Sequence, residues 1–170
     1  MSRSTRNRIP AKYFVTYGSG DSDNQVHAGS FHMALHDAGI SDFNIQTYSS
    51  VLPACAREVP REEAKLPKFG SEMMTIMAVA NGEKGDFICA GITWGWLYEG
   101  RKKIGGLVCE VSGKMEAEGL AMELDAALKE LHERTYKQYE LKDVQTHIMP
   151  HKVGRKYGTA LVAICFTQYK

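Results

Sequence analysis

The 170 residues carry 21 basic and 20 acidic side chains, a formal charge of +1. That near-neutrality argues against a dedicated nucleic-acid binder, which needs a strong basic excess. Hydrophobic residues make up 44% and charged residues 24%, a balance that fits one globular domain with a real core and excludes a disordered chain.

No apolar h-region occupies the first 25 residues and no run of 18 apolar residues occurs anywhere. Neither secretion nor membrane spanning is expected, and the cytoplasm is the expected compartment. The one basic cluster, Arg3, Arg6, Arg8 and Lys12, reads as a solvated arm. Cys55, Cys89, Cys109 and Cys165 are widely spaced and form no CxxC pair. Three of them lie in apolar segments, where cysteine behaves as a small buried hydrophobe of a reduced protein.

Ala11 to Tyr17 is a β-prone run that Gly18-Ser19-Gly20-Asp21 is expected to end. A helix is predicted from Phe31 to Ala38, with Phe31, Ala34, Leu35 and Ala38 on one face, Ser30 as N-cap and Gly39 as the stop. Asn44 to Val51 reads as a single strand, and Pro53 to Gly70, with three prolines and many charges, as a long loop. Strands follow at Met73 to Ala80, Phe87 to Leu97 and Leu107 to Val111, separated by Asn81-Gly82 and by Glu99 to Lys103. Met115 to Tyr139 is the longest predicted helix, with a stripe of Leu120, Leu124, Ala127, Leu128 and Leu131 and solvent-side pairs Glu130/Arg134 and Glu133/Lys137. Val144 to Met149 and Thr159 to Phe166 are the last strands. Two helices and about six strands make an α+β domain without internal repeats. The continuous apolar runs at Thr75 to Ala80 and Leu161 to Phe166 predict strands covered on both faces, with helices outside and sheets inside.

Tyr48-Ser49-Ser50-Val51 is the sharpest local feature. Serine is a poor β-former, and the pair either ends the strand in a polar turn or serves chemistry. A serine hydroxyl can attack the preceding carbonyl and turn that amide into an ester. β-Elimination of the ester then leaves dehydroalanine, which hydrolyses to a pyruvoyl group and ammonia. The ketone of such a group takes up an amino substrate and draws off the electrons left when carbon dioxide departs. Self-cleavage also needs a well-positioned peptide bond and a group that polarises the Ser49 carbonyl. Strand alternation places Asn44 on the same side as Ser50, six residues away along the strand.

The stretch SFHMALHDAGISDFNIQTYSSVLP, with Phe31 to Gly39, Phe43-Asn44, Ser49-Ser50 and Pro53 in order, resembles the pyruvoyl-dependent arginine decarboxylases. Gly105-Gly106-Leu107-Val108-Cys109-Glu110 is similar to that family's strand bearing a catalytic glutamate, and the ending Gly158 to Lys170 is family-like too. The resemblance implies cleavage into chains 1–49 and 50–170, a covalent pyruvoyl group from Ser50, and decarboxylation of arginine to agmatine. It further implies a homotrimer of cleaved protomers with interface active sites, built on a four-layer αββα sandwich.

On that resemblance Glu110 is the expected proton donor, its pKa raised by apolar surroundings, and Cys109 faces the other way as core. Asn44 is expected to assist processing or orient the substrate, and Ser49 to give its new carboxylate and hydroxyl to the pocket wall. Phe31 and His32 fall at the substrate-binding positions. His32 breaks the pattern, because the family has an acidic residue there to pair with the guanidinium and histidine cannot do so. A different amino-acid substrate, or an uncleaved non-catalytic partner protein, are the competing readings. His32/His36 and His147/His151 have i,i+4 spacing, but no metal is expected, since no third ligand is apparent and Pro150 interrupts the second pair. Trp94 and Trp96 share a strand face and read as packing.

Overall fold

The computed structural model describes residues 8–170, so Arg3 and Arg6 of the basic arm lie outside the described residues. The chain runs through strand β1 (Pro10–Ser22), a π-helical turn (Val26–Phe31), helix α1 (His32–Asp37), and strands β2 (Asn44–Thr47), β3 (Val51–Pro53) and β4 (Arg57–Glu58). A 3-10 turn (Arg61–Glu63), strands β5 (Glu72–Glu83), β6 (Phe87–Glu99) and β7 (Lys102–Gly113), helix α2 (Ala117–Thr135), and strands β8 (Glu140–Lys152) and β9 (Tyr157–Tyr169) complete it. The strands form two sheets, ordered β2-β5-β9-β1-β4 and β3-β7-β6-β8. This is an α+β fold dominated by sheet. Among the described residues no helix is long and apolar enough to cross a membrane.

The apolar run of β9 is explained by its central place in the first sheet. Ala160, Val162, Ile164 and Phe166 pack in one cluster with Ile88, Ile92 and Trp94 of β6, in the second sheet. The alternate residues Leu161, Ala163 and Cys165 pack with Ala34, Leu35 and Ala38 of the α1 segment. On the second sheet, α2 sets Leu120 and Leu124 against Cys89, and Leu128 against Leu97 and Leu107. Each such leucine contributes about 1.5–3 kcal/mol by leaving water. Trp94 and Trp96 both join the cluster that draws on the two sheets, as packing predicts.

Several local expectations are corrected. Gly18 and Gly20 do not end β1, which continues to Ser22. They are glycine because the α1 segment lies against them: a Cβ on Gly20 would stand 2.5 Å from the Ala34 amide nitrogen and from Met33 Cβ. Ser30 does not cap α1; its buried hydroxyl bonds Thr159 Oγ1 at 2.9 Å, and Phe31 holds the cap position without a side-chain bond. Gly39 does stop the helix segment, at φ +70°. β5 runs through Asn81-Gly82, and the turn falls at Gly85, φ +93°. α2 ends at Thr135, so Lys137 lies beyond it; Glu130–Arg134 closes at 2.7 Å, joined by Asp125–Lys129 at 2.7 Å. β8 carries Pro150 inside it, which its place at a sheet edge permits.

Gly20→Ala is expected to destabilise the chain by about 1–3 kcal/mol, because backbone and not a flexible side chain must yield. A thermal melt checks it, at about 2–4 °C per kcal/mol for a chain of this size.

Candidate active site

The predicted strand Asn44 to Val51 is two strands in two different sheets. β2 pairs in parallel with β5, ending at Thr47 opposite Thr75, and the Tyr48 N–H still donates to the Thr75 carbonyl at 2.8 Å. β3 pairs antiparallel with β7, with Val51 opposite Leu107 and Leu52 opposite Gly106. Ser49 and Ser50 are therefore the step by which the chain leaves one sheet and joins the other. An alternating sequence pattern cannot show that its two halves bond to different neighbours. Gly105 and Gly106 allow the close pairing: a Cβ on Gly106 would stand 3.0 Å from the Trp96 ring and 3.1 Å from Leu52 Cβ.

That pairing delivers Ser50 to Glu110. The Ser50 hydroxyl lies 2.6 and 2.7 Å from the two carboxylate oxygens of Glu110 and donates to them. Glu110 shares a strand face with Val108, which belongs to the core cluster drawing on both sheets. Burial raises its pKa above the ordinary glutamate value, while the bonds from the Ser50 hydroxyl and from backbone pull the other way. Two main-chain bonds fix the serine pair: the Val51 N–H donates to the Ser49 carbonyl at 2.7 Å, and the Val108 N–H donates to the Ser50 carbonyl at 3.1 Å. The first closes a three-residue turn centred on Ser50.

Of the other expected site residues, Ser49 adjoins Ser50, while Asn44, Phe31 and His32 have other neighbours on the single chain. Asn44 is exposed and donates its Nδ2 to the Gly70 carbonyl at 2.7 Å; because β2 ends at Thr47, the strand alternation that put it on Ser50's side does not apply. Ser49 is exposed and lines an apolar cavity of ≈ 530 Å³ with Tyr48, Leu52 and Ile104. His32 is exposed in a second cavity of ≈ 390 Å³ with His27, Ala28, Phe31 and Leu35, where the His27 ring stacks on Phe31 at 6.0 Å. Among the described residues no carboxylate lines that second cavity. Among the described residues no hydrogen bond links Asn44, Phe31 or His32 to Ser50 or Glu110.

Cys109, next to Glu110, packs among Leu97, Leu107 and Leu128 on the α2 side, where burial raises its thiol pKa. Arg8 is exposed and lies over the Tyr169 ring at 4.5 Å. His147 stacks on Trp94 at 5.4 Å, and His151 meets Asp21 at 2.9 Å. Among the described residues no three His, Cys, Asp or Glu side chains gather as a metal site. Sequence reasoning missed the Val51 N–H, a main-chain group that no residue type announces; the nearest signal was the Gly105-Gly106 pair, which marks a close strand approach.

The arrangement places a serine hydroxyl, a half-buried carboxylate and a hydrogen-bonded carbonyl at one peptide bond. Residues 12–170 match the family model described as pyruvoyl-dependent arginine decarboxylase. A pyruvoyl-dependent arginine decarboxylase of Thermoplasma volcanium is 30% identical over 151 residues, covering 79% of this chain and 80% of that protein. Pyruvoyl-dependent arginine decarboxylase 2 of Archaeoglobus fulgidus is 34% identical over 109 residues, 62% of this chain and 66% of that protein. The Methanopyrus kandleri pyruvoyl-dependent arginine decarboxylase is 39% identical over 87 residues, 49% of this chain and 53% of that protein. The chain belongs to the pyruvoyl-dependent arginine decarboxylase family.

Proposed function

We propose that the chain cuts itself between Ser49 and Ser50, carries a covalent pyruvoyl group made from Ser50, and decarboxylates L-arginine to agmatine. The observation that carries this reading is the Ser50 hydroxyl held at 2.6 and 2.7 Å from the Glu110 carboxylate in a chain of this family. The residues fit the group's origin: the hydroxyl has a proton acceptor, and the carbonyl it would attack already accepts a hydrogen bond. When in place, a pyruvoyl group supplies a ketone that accepts the electron pair left by departing carbon dioxide. Glu110 takes the Ser50 hydroxyl proton during cleavage and later gives a proton to the substrate α-carbon. Ser49 stays in the pocket wall as the new end of chain 1–49, and residues 50–170 form the longer chain.

Asn44, Phe31 and His32 join this centre from a neighbouring copy, so the working unit is a homotrimer or larger assembly in the cytoplasm. Support for this comes from the exposure of Asn44 and His32 on the single chain, where, among the described residues, none of the three makes a hydrogen bond to Ser50 or Glu110. The protomer is a four-layer αββα sandwich. Its support is the core cluster shared by the sheets, with α1 and α2 each packed on a different sheet.

His32 favours a second reading, a substrate with an anionic side chain, since among the described residues the cavity beside it offers no carboxylate for a guanidinium. The family and its named relatives favour arginine, with the pairing acid then supplied across the assembly. Following carbon dioxide release from arginine and from other amino acids decides between them. Arginine is expected to turn over fastest; faster release from aspartate or glutamate would overturn it.

A further inference from the structure

Self-cleavage leaves a charge that the uncut chain does not carry. When the ester between Ser49 and Ser50 opens, the Cα–H bond of residue 50 gives its proton to water and its electron pair to a new Cα=Cβ bond. The Cβ–Oγ bond breaks, and its pair stays on the oxygen, which is now part of a carboxylate at the end of chain 1–49. We propose that Arg8 is the counter-charge of that carboxylate, set on the cavity wall before the bond is cut; this rests on the self-processing reading above.

Arg8 and Ser49 line the same cavity of ≈ 530 Å³, whose other walls are apolar apart from Tyr48 and Tyr136. Among the described residues Arg8 is the one charged side chain lining it. An anion formed against such walls loses part of its hydration and needs a partner of opposite sign. Glu110 cannot be that partner. It is bonded to the Ser50 hydroxyl at 2.6 Å in the uncut chain, and after cleavage it is a second group of the same sign near the new one.

Both members of the pair are held in place. Beside Arg8, the Ile9 N–H donates to the Lys170 carbonyl at 3.3 Å and the Lys170 N–H donates to the Ile9 carbonyl at 2.9 Å. The Arg8 guanidinium lies 4.5 Å over the Tyr169 ring, and Tyr169 packs with Tyr48 against the core cluster shared by the sheets. Burial and the Tyr48 hydroxyl raise the Tyr169 pKa while Arg8 lowers it, so one ring adjoins both. Tyr48 in turn is tied to Thr75 at 2.8 Å, which fixes the residue before Ser49. A guanidinium laid on an aromatic face keeps its N–H edge for a carboxylate. Among the described residues Arg8 makes no ion pair in the uncut chain.

Arg8→Met removes the charge and Arg8→Lys keeps it. Both change an exposed side chain and leave the main-chain bonds of Ile9 in place, and intact mass confirms that each chain has cut. In protein labelled with carbon-13 at the serine carbonyls, the Ser49 carboxyl is the signal that an uncut Ser50→Ala chain lacks. Its titration midpoint is expected about one pH unit or more higher in Arg8→Met than in wild type, because an adjacent cation favours the ionised form. Arg8→Lys is expected near wild type. In a melt, Arg8→Met should cost cut chains about 2–4 °C more than it costs uncut Ser50→Ala chains. One midpoint shared by wild type and Arg8→Met, or an equal melting loss in cut and uncut chains, overturns the proposal and leaves Arg8 as packing on Tyr169. A wild-type chain that stays whole overturns the self-processing reading instead.

Discussion

A Ser50→Ala chain is expected to remain one species of 18.9 kDa under denaturing mass spectrometry, while the wild type splits after Ser49 and its longer fragment has lost ammonia. The effect is all or none because the hydroxyl is the only nucleophile in the step. Without it the Ser49–Ser50 bond is an ordinary peptide bond, and no ketone can arise at the new chain start. Carbon dioxide release should fall to background with it. Folding is expected to survive: Ser50 is only partly buried, and alanine fits the space. The Val108 bond to the Ser50 carbonyl, at 3.1 Å, is main-chain and unchanged. A Ser50→Ala chain that still divides after Ser49 would move the nucleophile elsewhere and end the assignment.

Much of the fold was legible where the pattern and the packing agree. The apolar run of β9 announced burial on both faces, and the α2 leucines announced their contact side, because each reports a local geometry that side-chain periodicity records. Two of the errors share one cause. Gly18 and Gly20 looked like a turn but are gaps in β1 that receive the α1 segment, and Ser30 looked like a cap but serves Thr159. In each case the deciding partner is distant in sequence. The site follows the same rule: Ser50 and Glu110 each stood out in the sequence, yet their contact spans 60 positions and depends on where the chain changes sheets. The Val51 N–H had no side-chain signature at all.

Replacing Glu110 by glutamine is expected to lower arginine turnover by about 10²- to 10⁴-fold, the usual worth of a positioned proton donor, and to remove its pH dependence on this group. The directions follow from the raised pKa. Protonating the substrate carbon needs the acid form, so wild-type turnover should decline as pH rises through the pKa of Glu110. Self-cleavage needs the carboxylate, so its rate should decline as pH falls through the pKa of the same group. Burial raises that pKa, whereas the Ser50 hydroxyl lowers it. Conversion of Ser50 removes the hydroxyl and leaves burial opposed only by backbone bonding, so Glu110 should hold its proton to higher pH after cleavage than before. One side chain can then act as base while the serine is present and as acid once it is gone. Stability carries its own sign: a folded pKa above the unfolded one favours the fold at low pH, and that gain is lost as pH rises through the folded value. Glu110→Gln should therefore melt no lower than wild type in alkaline buffer. Cleavage, which the glutamine chain should also slow because it has lost the base, is timed first, and turnover is then measured by single turnover on the fraction that has cut. Glutamine-bearing enzyme that turns over near the wild-type rate, with an unaltered pH profile, would assign the proton to another group.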